Sequence, residues 1–230
     1  MSGLKEIRNR ISSVSSTMQI TNAMKMVSAA KLKKAQDSIS ATLPYSNKLS
    51  ELIKNISAST DSDDTNPLFE KRESKNLLII AITSNKGLCG GFNSNIIKEV
   101  NKIKTTSTSK RIDLLTIGKK GDDILSKKFQ VISSHNDVYD NFNYNNIKEI
   151  AETVLQKFSD KEYDEVKLVY NHFKNAATQI VTKEQYLPIQ ESADENNSVS
   201  GDYIFEPNRP KILNELIPKS LSIQLFKAIS

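Results

Sequence analysis

The sequence predicts an α/β protein built from a long N-terminal coiled-coil helix, a Rossmann-like βαβ central domain and the start of a C-terminal coiled-coil helix. Three observations predict it. Near the N-terminus apolar residues recur at alternating spacings of three and four. Between residues 77 and 190 short aliphatic runs alternate with amphipathic ones. After residue 208 a helical apolar stripe returns.

Residues 1–57 contain one glycine, Gly3, and one proline, Pro44. Leu4, Ile7, Ile11, Val14 and Met18 form a heptad seam along one side of a helix. Leu32, Ala35 and Ile39 return in the same phase, and Leu49, Leu52, Ile53 and Ile56 continue an apolar stripe beyond Pro44. Between these stretches the phase slips. Thr21, Lys25 and Ser28 occupy the seam positions, while Ile20, Met24 and Val27 stand one residue earlier. One residue is about 100° around a helix, so this patch faces away from the seam. A single helix of this length needs another helix along it to bury its stripe. The expectation is one helix over 1–57, bent near Pro44.

Residues 58–76 are polar, with Asp61, Asp63, Asp64 and Pro67, and read as a solvated linker. The α/β domain is expected over 77–190. Strands are predicted at 77–82, 113–118, 165–171 and 178–189, with helices at 93–104, 121–129 and 145–158. That order gives a mostly parallel, twisted sheet flanked by helices. Residues 191–207 read as a polar, acidic connector. From 208 to 230 a helix begins, with Asn208 as N-cap, a stripe through Ile212, Leu213, Leu216, Ile217, Leu221, Leu225 and Ile229, and Pro218 as an awkward interior residue.

Composition narrows the function classes. Of 230 residues, 37% are apolar and 26% charged, with seven glycines and six prolines, which excludes collagen-like and Pro/Gly-rich disordered chains. The longest aliphatic run, Leu77 to Ile82, is far short of the about 20 residues that a membrane-spanning helix needs. Cys89 is the only cysteine, so no internal disulfide or cysteine-cluster metal site can form. The start, Met1-Ser2-Gly3-Leu4-Lys5-Glu6, has neither signal-peptide nor transit-peptide character, and a reducing compartment is expected. Net charge is +5, and residues 1–57 hold nine basic side chains against three acidic ones. The positive charge is therefore assigned to the N-terminal helix.

The Gly-rich turn after the first sheet strand, Gly87-Leu88-Cys89-Gly90-Gly91, stands where α/β folds bind phosphates. Its glycine spacing fits neither the dinucleotide nor the P-loop fingerprint, and it reads as a tight structural turn. Cys89 reads as an ordinary small side chain there, and His135 and His172 as surface or packing residues. The basic helix allows three readings: a solvated face, a nucleic-acid reader or a shaft meeting acidic partners. Only two of its nine basic residues are arginine, and the charge is diluted along a heptad seam, which favours protein contact. Met24, Met26 and Val27 off the seam fit an adaptable contact surface.

Ile20-Thr21-Asn22-Ala23-Met24-Lys25-Met26-Val27-Ser28-Ala29-Ala30-Lys31-Leu32-Lys33-Lys34-Ala35-Gln36 closely resembles the N-terminal helix of the gamma subunit of F-type ATP synthases. Lys5-Glu6-Ile7-Arg8, Met18-Gln19-Ile20-Thr21, Ser84 to Asn93 and Asp202-Tyr203-Ile204-Phe205-Glu206-Pro207 resemble the same family in the same order. The resemblance covers the whole chain. It implies a central-stalk rotor whose terminal helices form an antiparallel coiled coil inside a ring of alternating alpha and beta subunits. It places the α/β domain at the foot, with the epsilon subunit and the c-ring of the membrane sector.

By the same resemblance catalysis belongs to the beta subunits, with no cofactor or metal on this chain, no nucleic-acid partner and no direct membrane span. The complex would couple ion transport to ATP synthesis or hydrolysis, peripheral on the cytoplasmic face of a bacterial inner membrane or its organellar equivalent. Met24, Lys25, Met26 and Val27 are the expected stator contact. Leu4, Ile7, Ile11, Val14, Met18, Leu32 and Ile39 are the expected seam. Tyr203 and Glu206 are the expected contacts on the c-ring and epsilon side. Against the family pattern the chain stops about one long helix early and lacks the Thr-x-Glu segment, and its single cysteine excludes the dithiol insert of the plant regulatory form.

Two other classes compete. One is a small α/β nucleotide-binding domain with a helical oligomerisation arm, motivated by the sheet and Gly turn. The other is a basic coiled-coil adaptor for nucleic acid. Tight ATP or NAD binding by residues 70–195 would select the first, and strongly salt-dependent binding to random DNA the second.

Overall fold

Strand β1, Asn76–Ile82, is an unbroken apolar run because it is central and covered on both faces. In the computed structural model, which describes residues 2–58, 66–175, 178–189 and 209–230, it anchors a five-stranded sheet of order β3-β2-β1-β4-β5. Strand β2 is Arg111–Ile117, β3 Gln130–His135, β4 Glu165–Asn175 and β5 Thr178–Leu187. β1 pairs in parallel with β2 and β4, and β2 in parallel with β3, while β5 returns antiparallel to β4. The helices are α1 (Ser2–Ala58), α2 (Phe92–Thr106), α3 (Lys119–Leu125), α4 (Tyr144–Ser159) and α5 (Arg209–Ile229).

Successive side chains on a strand point to opposite faces, and β1 divides accordingly. Leu77, Ile79 and Ala81 pack with Ile96, Val100 and Ile103 of α2 and Leu125 of α3. Leu78, Ile80 and Ile82 face α4, through Ile147, Val154 and Phe158, and α5, through Ile217, Leu221 and Leu225. Asn143 caps α4, its side chain accepting from the Asn146 N–H. A buried carboxylate on β2 meets one buried and one exposed partner. Asp113, 2% exposed, accepts from the Tyr163 hydroxyl at 2.8 Å and pairs with Arg111 at 2.6 Å.

The chain divides into two compact units, residues 1–45 and 46–230. Helix α1 is continuous from Ser2 to Ala58 with Pro44 inside it. Its described side chains up to Tyr45 are nearly all exposed, whereas Leu49 and Ile53 belong to the core of the second unit. The boundary therefore falls inside the helix, where the sequence reading placed it at residue 57.

Three other expectations change. The linker reading of 58–76 gives way in its second half: Pro67–Phe69 form a 3-10 turn capped by Asn66, and Leu68 is buried in the core. Arg72 there reaches the Phe158 carbonyl and stacks over its ring. Strand β3 escaped detection because it is a half-exposed sheet edge with only Val131 and Ile132 as apolar residues. The stripe read as the start of a coiled coil instead buries Ile217, Leu221, Leu225 and Ile229 of α5 in the domain core. Pro218 is accommodated within α5, and its carbonyl accepts from Ser222 Oγ at 2.8 Å. The N-cap expected at Asn208 lies outside the described residues.

Candidate functional site

The expected seam and the expected stator contact both lie on the part of α1 that belongs to the first unit. Leu4, Ile7, Ile11, Val14 and Met18 are all exposed, and Leu32 is borderline at 37%. Ile39 is part of α1, but its side chain lies outside the described residues. Met24, Lys25, Met26 and Val27 are exposed as well, Met24 at 65%. Exposure alone thus does not separate seam from patch. What separates them is angle, because the helix runs through the phase slip without a break. The polar seam position Thr21 donates its hydroxyl to the Thr17 carbonyl at 2.8 Å, so it is satisfied by its own helix.

The Gly-rich turn joins β1 to α2, and its polar groups bond to one another. The Ser84 N–H donates to Asn93 Oδ1 at 2.9 Å, Asn93 Nδ2 donates to Ser84 Oγ at 2.8 Å, and Ser84 Oγ donates to the Lys86 carbonyl at 2.6 Å. Asn93 Nδ2 also lies 3.2 Å from the exposed Cys89 sulfur. The neighbouring turn between β2 and α3 is closed by Thr83. Its Oγ1 accepts from the Gly121 N–H at 2.8 Å and donates to the Gly118 carbonyl at 3.0 Å. Gly118 has φ +95°, and a Cβ there would stand 1.9 Å from the Thr83 carbonyl oxygen. The Tyr139 hydroxyl donates to that same oxygen at 2.8 Å, and burial pushes the phenol's pKa up, so it stays a neutral donor. Side chain and backbone thus fill the sheet's C-terminal end beside β1.

His135 ends β3. It is half-buried, and burial lowers its pKa, with Asp137 opposing weakly. Cys89 and His172 are exposed.

The structure also assembles a surface that the charge count concealed. Lys98, Lys102 and Lys104 of α2 are exposed, as are Lys119 of α3 and Lys127 and Lys128 just after it. Lys104 reaches across to the Lys128 carbonyl and lies over the Phe129 ring. Residues 92–129 hold nine basic against four acidic side chains, which acidic segments elsewhere cancel in the total. A windowed charge count would have found this face. Among the described residues no helix is long and apolar enough to cross a membrane. Tyr203 and Glu206 lie outside the described residues.

Comparison with known proteins identifies the class. The sequence profile of the ATP synthase family, described as "ATP synthase", matches residues 3–230. The "ATP synthase gamma chain" of Flavobacterium johnsoniae is 53% identical over 229 residues, covering 100% of this chain and 80% of that protein. The protein of the same name in Christiangramia forsetii is 54% identical over 230 residues, with the same coverage. Among solved structures, the central stalk/c-ring of the Tetrahymena thermophila mitochondrial ATP synthase contains a chain similar to this one. It has a TM-score of 0.66 and 26% identity, with 91% of each chain covered. The chain belongs to the ATP synthase gamma family, the central-stalk rotor subunit of the F-type enzymes.

Proposed function

We propose that the chain transmits torque between the c-ring of the membrane sector and a ring of alternating alpha and beta subunits, without catalysing a reaction itself. The observation that carries the reading is the patch at Met24, Lys25, Met26 and Val27. Its side chains are exposed, and Met24, Met26 and Val27 are each turned about 100° from a seam position, Lys25 standing on the seam between them, on an unbroken helix. A helix gains nothing for its own coil by aiming apolar residues there, so the patch fits a partner other than a coiled-coil mate. Methionine supplies contact area without fixed shape, and exposed lysines form pairs worth about 0–1 kcal/mol, weak enough to break at each step. The seam from Leu4 to Ile39 would pair with a second helix in the assembled stalk.

In this reading ATP forms and is cleaved on the beta subunits, and the α/β domain serves as the foot. Tyr203 and Glu206 would meet the c-ring and the epsilon subunit. The assembly would sit peripherally on the cytoplasmic face of a bacterial inner membrane or its organellar equivalent. The internally bonded Gly turn and the filled Thr83–Gly118 crossing support a structural role for the domain.

The test is Met24→Lys in the assembled complex. A new exposed ion pair with an acidic stator loop should raise the barrier to rotation and lower the number of protons pumped per ATP hydrolysed. Unchanged pumping together with an unchanged activation energy would mean that the patch is only packing. Substituting Tyr203 and Glu206 together should weaken proton-driven synthesis and spare hydrolysis by the detached head. Collapse of that hydrolysis would assign them to the fold of the head instead.

A further inference from the structure

A cavity of about 660 Å³ is lined by the C-terminal part of α1, by β4 and β5, and by α5. Its lining includes Ile53, Tyr186 and Leu221, all part of the apolar core. Its charged groups are three lysines, Lys167, Lys183 and Lys227, against one carboxylate, Glu184. That carboxylate is already engaged. Glu184 Oε2 accepts from the Tyr170 hydroxyl at 3.0 Å, and Oε1 accepts from the Gln224 amide at 2.7 Å. Lys167 is paired with Glu165 at 2.8 Å. Among the described residues Lys183 and Lys227 have no ion-pair partner.

Two unneutralised ammonium groups on one concave, partly apolar wall are unlike lysines scattered on a convex surface. Low-dielectric walls focus the field into the cavity and raise the local concentration of anions there. The residue types narrow the anion. No arginine lines the cavity. A planar carboxylate is best matched by the arginine fork, whereas ammonium groups act as point charges that suit phosphate oxygens. Ser46 of α1 and Ser220 of α5 bring hydroxyl groups to the same wall.

We propose that this cavity binds a diphosphate group, held by Lys183 of β5 and Lys227 of α5. Its volume lies within the roughly 300–1,000 Å³ usual for small-molecule sites, which leaves room for an organic body over Ile53 and Leu221. The ligand is therefore inorganic pyrophosphate or a nucleoside diphosphate, and the diphosphate is the chemistry the two share. The site has no residue in common with the Gly-rich turn or the Met24 patch, so it stands independently of the rotor reading.

The test is calorimetric titration of the full chain with inorganic pyrophosphate and, separately, with ADP. Saturable binding of pyrophosphate at a single site is expected. Lys183→Gln and Lys227→Gln should each raise its dissociation constant roughly tenfold, the size of one charge-assisted contact. Both side chains are exposed, so the ligand-free variants should melt at the parent temperature. Lys98→Gln with Lys127→Gln, on the basic α2–α3 face, should leave the affinity unchanged. Tighter binding of ADP than of pyrophosphate supports the site and assigns its ligand to the nucleotides. Equal or weaker binding of ADP supports it and assigns the inorganic anion. Absence of pyrophosphate binding overturns the proposal. So does binding that survives both cavity substitutions, or that falls as far with the α2–α3 pair.

Discussion

Ile11 and Ile79 are the same side chain on regular backbone, yet Ile11 is 63% exposed and Ile79 is fully buried. Ile11 belongs to a helix whose apolar stripe meets no other element within its unit. Ile79 belongs to a strand whose two faces are both covered within the same chain. Residues 1–45 follow a periodic pattern that their own fold leaves unsatisfied, while residues 46–230 satisfy theirs internally. An apolar period therefore specifies a surface, and the surface's use depends on what else the chain supplies. Where the chain supplies nothing, the stripe stays exposed.

The sharpest way to break this contrast lies at the Thr83 crossing. Gly118→Ala puts a Cβ 1.9 Å from the Thr83 carbonyl oxygen at φ +95°. The cost should be about 4 kcal/mol or more, or folding should fail, as read by urea denaturation. Gly3→Ala in α1 meets nothing within 4 Å and should be neutral or slightly stabilising. Equal losses at both positions would mean that the two regions are not different in kind.

The two isoleucines give the next largest effect. Ile79→Ala should cost about 2–5 kcal/mol in the isolated chain. Ile11→Ala should stay within about 0.5 kcal/mol there, and should matter only when a second helix is present. A large loss from Ile11→Ala in the isolated chain would show that the seam is already covered.

Smaller is the effect at the buried carboxylate. Tyr163→Phe removes the 2.8 Å hydroxyl bond and leaves Asp113 to Arg111 alone, which should cost about 1–3 kcal/mol by the same denaturation measurement. Burial, reinforced by Asp113, holds the Tyr163 pKa above its ordinary value, so the bond should persist through the neutral and mildly alkaline range.

Smallest is a pH slope from His135. Its folded pKa is depressed by burial below the ordinary 6.5. The unfolded chain therefore binds the proton more readily, and stability should decline as pH falls below about 6.5 and level off once the folded pKa is passed. His135→Gln should flatten that part of the profile. An unchanged slope in the variant would assign the acid sensitivity to other groups.

Much of the architecture was legible in the sequence. The helix of residues 2–58 follows from its glycine-poor heptads, and β1 from its unbroken aliphatic run, because local periodicity alone marks them. The off-seam Met24 patch was legible for the same reason: a phase slip is a property of spacing. The basic α2–α3 face was hidden because its lysines come from separate elements and cancel in a whole-chain charge count. The left-handed backbone at Leu88 was hidden because it sits in a turn whose Ser84 and Asn85 accept bonds from the Lys120 and Lys119 N–H groups, far off in the sequence.

The sequence by itself determined the elements and their apolar faces, since period and composition act within a few residues. Only the tertiary structure decided which faces are covered. Leu221 and Leu225 carry a stripe as regular as that of Ile7 and Ile11, yet the former are buried and the latter exposed. The physical reason is that burial is a relation between elements. α5 lies against β4 and α4, so its stripe leaves water on folding. The stripe of α1 before Tyr45 has no apolar surface within its own unit to meet, and no spacing along its own residues could disclose that.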